Sequence, residues 1–485
     1  MTTHQTSDSA PEVGPPGPEA AQADSAFARD VGPGDARAYV RDYWERVRGG
    51  EVGALPAVLG LLVLVIIFNA ASDRFLTVFN LANLITQSGI TVLIAMGLVF
   101  VLLLGEIDLA AGTASGVCAG LMGIALTTNG DLKAGFGTGT WLGVCAFLLL
   151  GLVIAALGRL WLPAAIVAVG LVMAATGVGI ASQVGAIYFA IATGVAIGLF
   201  TGFLVARVGI PSFVVTLALF LTWQGVLLQM EGEGNAISVR QFPVINAIAN
   251  KNMLPVMGWI LYAILVGGYA AYTVMRSIRR RAGGLSAEPM AIVIARAGGL
   301  AVLGAVALYF LNQERSPNPT VTSIKGVPYV LPIILLLMVL WTLVLSKTSF
   351  GRYVYAVGGN SEAARRAGVD LTRIRITCFA IGAGMAAAGG IVQASRLGSI
   401  PSDAGGGNTL LFAVAAAVIG GTSLFGGKGR ARDAVIGGLV ITIIPNGLGL
   451  LPNLPSSAVF IVTGLVLLVA ASVDALSRKR AVASA

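Results

Sequence analysis

A chain of 485 residues that is 56% hydrophobic and 11% charged carries less than half the charge of an ordinary soluble domain, about 25%. A water-soluble globule is excluded, and without a three-residue glycine period so is a collagen-like repeat. The only histidine, His4, lies in a polar tail, and Cys118, Cys145 and Cys378 are scattered through apolar runs, so no His triad, zinc site or disulfide framework can be assembled in the body.

Residues 1–50 are polar and proline-rich, too poor in apolar surface to offset their ordering entropy, and read as a disordered N-terminal tail. The first apolar run begins too late for a cleaved secretory signal, so it reads as a retained anchor. At about 20 apolar residues per crossing, the sequence predicts fourteen spans. They fall near 55–71, 84–104, 107–127, 141–157, 161–180, 184–206, 212–229, 256–275, 292–311, 328–346, 374–394, 408–424, 434–451 and 456–473. The expected fold is an all-α polytopic membrane protein, one transmembrane domain over 51–476 with a short C-terminal tail, 477–485. The stretch 84–127 is interrupted by GEIDLAAG and reads as broken or re-entrant, and 408–424 is short and glycine-rich. Irregular backbone at membrane depth survives only against protein or a water-filled cavity.

With an even number of crossings, 24 of the 31 Lys and Arg residues fall on one side. That bias marks the cytoplasm, so both termini are expected there. The net charge of +9 therefore reflects basic loops rather than a nucleic-acid partner. A faint two-fold internal repeat pairs GEIDLAAG (105–112) with GGTSLFGG (420–427), with first and last glycines at the same spacing.

Glu106 and Asp108 lie between two apolar runs, where an ionised carboxylate must face protein or water. They read either as a gate or path-lining pair around Gly105 and Gly112, or as a helix-capping Asp108 beside a solvated Glu106. Among the neutral polar residues inside spans (Asn83, Gln87, Gln183, Thr222, Gln224, Gln393, Asn408 and Asn446), Gln224 and Asn446 are selected with that pair as translocation-path residues. Pro445-Asn446-Gly447 is expected to break its span and free backbone carbonyls. Glycines four apart, at 112, 116 and 120 and at 194, 198 and 202, read as close helix packing.

The loop 347–375 is basic and contains a predicted short helix, Ser361 to Ala367. Ser361 reads as its N-cap, Glu362 sits at its positive end and Gly368 closes it. Ala363, Ala364 and Ala367 offer a small-residue face for another protein. Hydrolysis of a nucleotide by this chain is not expected: in GGTSLFGGKGR (420–430), Lys428 is followed by Gly429, which fails the P-loop pattern.

GRYVYAVGGNSEAARRAGVD (351–370) resembles the coupling-helix region of ABC importer permeases, whose E-A-A-x-x-x-G pattern is matched by Glu362, Ala363, Ala364 and Gly368. GEIDLAAG, IPSFVVTLALFLTWQGV (210–226) and VIGGTSLFGGKG (418–429) resemble the ribose- and xylose-type sugar permeases of that family, in the same order and spacing. The basic loop MRSIRRRAGGLSAEP (275–289), with an extra span on each side, looks most like the xylose-type branch; the pair of spans near 141–180 and the long N-terminal tail depart from it. The resemblance implies a permease in a bacterial cell membrane, with Glu362, Ala363, Ala364 and Gly368 as ATPase-coupling residues. It further implies a separate ATP-binding subunit, an extracytoplasmic sugar-binding protein and a second permease copy. No cofactor, metal or catalytic residue is expected. A branched-chain amino acid permease and an ion-coupled secondary transporter remain alternatives.

Overall fold

The computed structural model describes residues 41, 55–283, 287–316, 318–320, 323–452, 455, 457–465, 468 and 472. Apart from Arg41, the expected N-terminal tail lies outside the described residues, as does the C-terminal tail 477–485.

Among the described residues the regular structure is helical apart from one two-stranded ladder and an isolated bridge between Asn252 and Pro328. Its helices, in chain order, are α1 (Leu55–Ala71), α2 (Val78–Leu103), α3 (Ala111–Thr127), α4 (Leu132–Leu157), α5 (Trp161–Thr176), α6 (Gln183–Phe203), α7 (Ser212–Glu231) and α8 (Pro243–Asn250). They continue with α9 (Pro255–Ala282), α10 (Met290–Leu311), α11 (Val330–Lys347), α12 (Ser349–Gly359), α13 (Ser361–Arg366), α14 (Leu371–Leu397), α15 (Thr409–Ile419) and α16 (Ala431–Leu448). Strands β1 (Ala236–Ser238) and β2 (Ser399–Pro401) pair antiparallel and tie the segment after α7 to the end of α14.

Among the described residues, nine helices are long and apolar enough to cross a bilayer: α2, α4, α6 extended by a π-turn to Val208, α7, α9, α10, α11, α14 and α16. α1, α3, α5 and α15 are apolar but shorter, and residues 457–465 are helical as well. The protein is thus an all-α polytopic membrane protein, with nine helices of crossing length among the described residues where fourteen spans are expected, and the last expected span, 456–473, lies partly outside those residues. The expected interruption in 84–127 is real: α2 ends at Leu103, Gly105 turns the chain at φ +75°, and α3 begins only at Ala111. The 408–424 stretch yields a helix of 11 residues, about half a crossing. One expectation is corrected: α16 runs through Pro445 and ends at Leu448 instead of breaking at the Pro-Asn-Gly sequence. A proline removes one N–H donor from the ladder, and neighbouring packing can hold the turn around it.

Residues 259–307, the greater part of the α9–α10 hairpin, form a compact unit of their own, and the described residues of 50–258 and 308–485 form the body. Within the hairpin, the Tyr262 hydroxyl donates to Ala301 O at 2.6 Å and its ring packs where Gly304 lacks a side chain.

The body is organised around α14. A Cβ at Gly194 would lie 2.7 Å from Ala383 O, one at Gly198 would overlap Phe379 O, and one at Gly202 would lie 2.7 Å from Ile376 Cα. The glycine stripe on α6 therefore brings its backbone directly onto that of α14, as the four-residue spacing predicts. Gly97 of α2 meets Gly382 O in the same way, and Gly390 of α14 abuts Ser115 O of α3. Phe100, Phe189 and Phe379 are among the largest side chains in the core and are essentially inaccessible.

Candidate functional site

Three segments distant in sequence meet at one end of the body. The amide of Gly427, in the GGTSLFGG loop between α15 and α16, donates to Leu103 O at the end of α2 (2.9 Å). Gly358 of α12 sits against both: a Cβ there would overlap Leu103 O and lie 2.7 Å from Gly427 N. A Cβ at Gly105 would lie 3.3 Å from Phe425 O, and one at Gly426 3.0 Å from Gly105 N. The two glycine motifs singled out as a faint repeat are thus in direct backbone contact, with the last turn of α12 keyed between them. The Tyr355 hydroxyl, one turn earlier, donates to Gly429 O at 2.7 Å; burial raises its pKa, so it donates as a neutral phenol.

The helix expected at 361–367 follows immediately as α13. Its N-cap is Asn360 rather than Ser361: the Asn360 side chain accepts from Ala363 N at 2.9 Å. Both residue types cap well, and the one placed in extended backbone, φ −157°, takes the role. At the other end Val369 N donates to Ala364 O and Gly368 N to Arg365 O, each at 3.0 Å, with Gly368 at φ +84°. That pair of bonds around a left-handed glycine is a Schellman closure.

Glu362 is exposed and bonded by Arg365 at 2.9 Å and Arg366 at 3.2 Å. The Arg365 hydrogen bond and charge, then Arg366, hold its carboxyl below the usual carboxylate range. The expected small-residue face is narrower than three alanines. Ala363 and Ala367 face outward, whereas Ala364 is 5% exposed and packs inward with Val354, Val357 and Ile374.

Glu106 reaches α14, with its Oε1 3.3 Å from Arg375 Nε and side chains 15% and 30% exposed. Asp108 is buried, and its Oδ1 accepts from Ala110 N at 2.9 Å, one residue ahead of α3. Ile107 between them is held by Ser212 and Thr216 at the start of α7: the Ser212 hydroxyl accepts from Ile107 N and the Thr216 hydroxyl donates to Ile107 O, each at 3.3 Å. Glu106 and Asp108 therefore lie at the α13 end of the body.

The other two path candidates lie elsewhere. Gln224 Nε2 donates to Ser402 O at 3.1 Å, joining α7 to the segment after β2. Asn446 of α16 exchanges two amide bonds with Asn80 of α2, at 2.9 and 3.0 Å, and also donates to Gln87 at 3.3 Å. Its side chain is saturated by protein in this conformation, an interhelical clasp with no free donor. Sequence reasoning did not single out Tyr355, Gly358, Asn360 or Arg375, because their importance comes from partners distant in the chain or from backbone conformation.

The sequence profile of the family described as "Branched-chain amino acid transport system / permease component" matches residues 80–471. The chain belongs to this permease family. The permease is 30% identical to the xylose transport system permease protein XylH of Haemophilus influenzae over 425 residues, 87% of this chain and 96% of that protein. It is 27% identical to the ribose import permease protein RbsC of Escherichia coli over 418 residues, 86% of this chain and 92% of that protein. With full-length relatives of both names, the permease is of the ribose/xylose type. No solved structure matches.

Proposed function

We propose that this permease is the membrane-spanning subunit of an ATP-driven importer of a monosaccharide, a pentose such as xylose, powered by a separate ATP-binding subunit. The observation that carries the reading is the seating of α13. The helix carrying Glu362, Ala363 and Ala364 is capped at both ends, presents Glu362 and Ala363 to the outside, and follows directly on α12, whose last turn is keyed into the junction where Leu103, Gly358 and Gly427 meet. A push on α13 is delivered through α12 to the ends of α2 and α15–α16, and through Arg375 and Glu106 to the loop before α3. The bundle can then alternate between outward and inward openings, with no bond chemistry performed by this chain.

In this reading α13 and both termini face the cytoplasm of a bacterial cell. A second copy completes the path and an extracytoplasmic binding protein delivers sugar to the β1–β2 end. Full-length relatives named for xylose and ribose favour a sugar. The family's description keeps branched-chain amino acids as a second substrate class.

A gentle-detergent pull-down of the tagged chain from its native membranes, followed by protein identification and uptake assays, tests the reading. The expected result is a stoichiometric ATPase with a sugar-binding protein, and xylose uptake that leucine does not compete with and ATP depletion abolishes. Uptake that survives ATP depletion and collapses with the ion gradient would instead identify an ion-coupled carrier.

A further inference from the structure

Glu231, the last residue of α7, is anomalous. Among the described residues it is the only carboxylate whose two oxygens are both buried without a hydrogen-bond partner. Buried polar groups are nearly always paired, and an unpaired carboxylate is among the most expensive groups to leave so. Its surroundings explain why the chain itself does not satisfy it. Oε1 faces the bare backbone of Gly120 on α3, where an added Cβ would sit 3.3 Å away, and Leu227 lies against the same glycine.

On the same face of α7, two turns earlier, Gln224 has its amide donor committed to Ser402 O. Its Oε1 points toward Gly406, where a Cβ would be 2.7 Å away. The exposed carboxylate of Asp403 adds like charge to this corner. The carbonyls of Ala404 and Gly405 press against Gly116 and Gly112 of α3. The side-chain donors around the corner between α3, α7 and residues 402–406 are committed to backbone carbonyls: Gln224 Nε2 to Ser402 O, Asn235 Nδ2 to Glu231 O at 3.1 Å and Ser115 Oγ to Gly112 O at 2.6 Å. None of them reaches the carboxylate oxygens of Glu231.

A metal ion would need more ligands than are present, since no three His, Cys, Asp or Glu side chains converge among the described residues. A polyol suits the corner better, because vicinal hydroxyls donate to carboxylate and carbonyl oxygens alike. The position fits as well. α7 begins beside Ile107 at the α13 end, and its 20 residues carry Glu231 to the opposite, β1–β2 end.

We infer that Glu231 is a specificity-determining residue at the substrate-entry mouth, accepting a hydroxyl hydrogen of the incoming monosaccharide, with Gln224 fixing the loop 402–406 as the facing wall. The inference rests on the monosaccharide reading and assigns a site to it.

The test uses the complete importer in cells lacking other xylose uptake. Rates of D-xylose and its 2-, 3- and 4-deoxy analogues are measured for wild type, Glu231→Gln and Glu231→Asp. The same binding protein serves every variant, so its own selectivity cancels when discrimination ratios are compared. The expected result is that wild type rejects at least one analogue tenfold or more, and that Glu231→Gln loses at least fivefold of that rejection with a raised KM. Glu231→Asp, which keeps the acceptor, should regain part of it, while ATPase co-purification is unchanged. Unaltered discrimination in an active Glu231→Gln importer overturns the inference alone, as does a uniform fall in maximal rate for all four sugars in both variants. A wild-type importer that takes up no sugar from a panel of pentoses and hexoses overturns the monosaccharide reading, and this inference with it.

Discussion

Gly358 and Gly359 are neighbours in α12, yet they stand differently toward an added methyl group. At Gly359 nothing lies within 4 Å of an added Cβ, whereas at Gly358 the Cβ would overlap Leu103 O and sit 2.7 Å from Gly427 N. Both obstacles are backbone atoms, so no rotamer change relieves them. Gly358→Ala must force the segments apart, costing about 1–3 kcal/mol as overpacking. It also breaks the Gly427–Leu103 hydrogen bond, worth about 0.5–1.5 kcal/mol net. Replacing a helical glycine returns at most about 1 kcal/mol. The net destabilisation of Gly358→Ala is thus about 2 kcal/mol, while Gly359→Ala is neutral or slightly stabilising. Thermal unfolding of the purified permease in detergent, read by size-exclusion chromatography, should separate the two variants clearly. Uptake should fall only for Gly358→Ala. Equal unfolding temperatures for both variants would refute the keyed junction.

Glu106→Arg and Arg375→Glu should each lower stability by about 1 kcal/mol, as for a partly screened pair, and the double reversal should recover most of it; no recovery in a double-mutant cycle would show the pair to be incidental. Asn446→Ala leaves Asn80 Oδ1 without a partner, while Asn80 Nδ2 keeps Phe75 O, and weakens the α2–α16 contact at a cost of about 1–3 kcal/mol, measurable as a lowered unfolding temperature in detergent. Glu362→Lys and Gly368→Leu should abolish uptake while leaving the chain in the membrane. The second also forces a side chain into φ +84°, a cost of about 1–2 kcal/mol; normal uptake in both would remove α13 from the coupling route. Glu314 is held at about 2 by the Ser323 hydroxyl and then the Ile324 amide. A depressed carboxyl pKa contributes stability above its unfolded value and loses it only as pH falls toward the folded one. The Ile324 and Ser316 amides should therefore keep their hydrogen-exchange protection, corrected for intrinsic rates, from pH 7 down to pH 4 in wild type and lose it in Glu314→Gln.

The helices were legible because membrane spans announce themselves by length and apolarity, and the α6 glycine stripe by its four-residue period. α13 was legible from Glu362 and Gly368, since helix ends carry local chemistry. Its cap was misplaced because Asn360 and Ser361 are both competent, and only backbone conformation chooses between them. Pro445 misled for a related reason: a proline's local penalty is certain, but whether the surrounding helices absorb it is a tertiary matter. Asn446 was identified as a notable polar residue, yet its partner Asn80 lies at the far end of the chain, and no local pattern announces such a pairing. The junction of Leu103, Gly358 and Gly427 is built wholly from backbone, so residue chemistry alone could not reveal it.

The close packing of α6 on α14 also has a consequence in time. α6 is complete at Phe203, but the surface its glycines are shaped to receive begins only at Leu371. At about 5–20 residues per second of synthesis, α6 waits roughly 10–30 s in the membrane with its groove open to lipid or to other helices. Assembly of the core must therefore follow insertion of α14. A nascent chain arrested before that helix should remain a ready substrate for membrane proteases, however many of its spans are already in place.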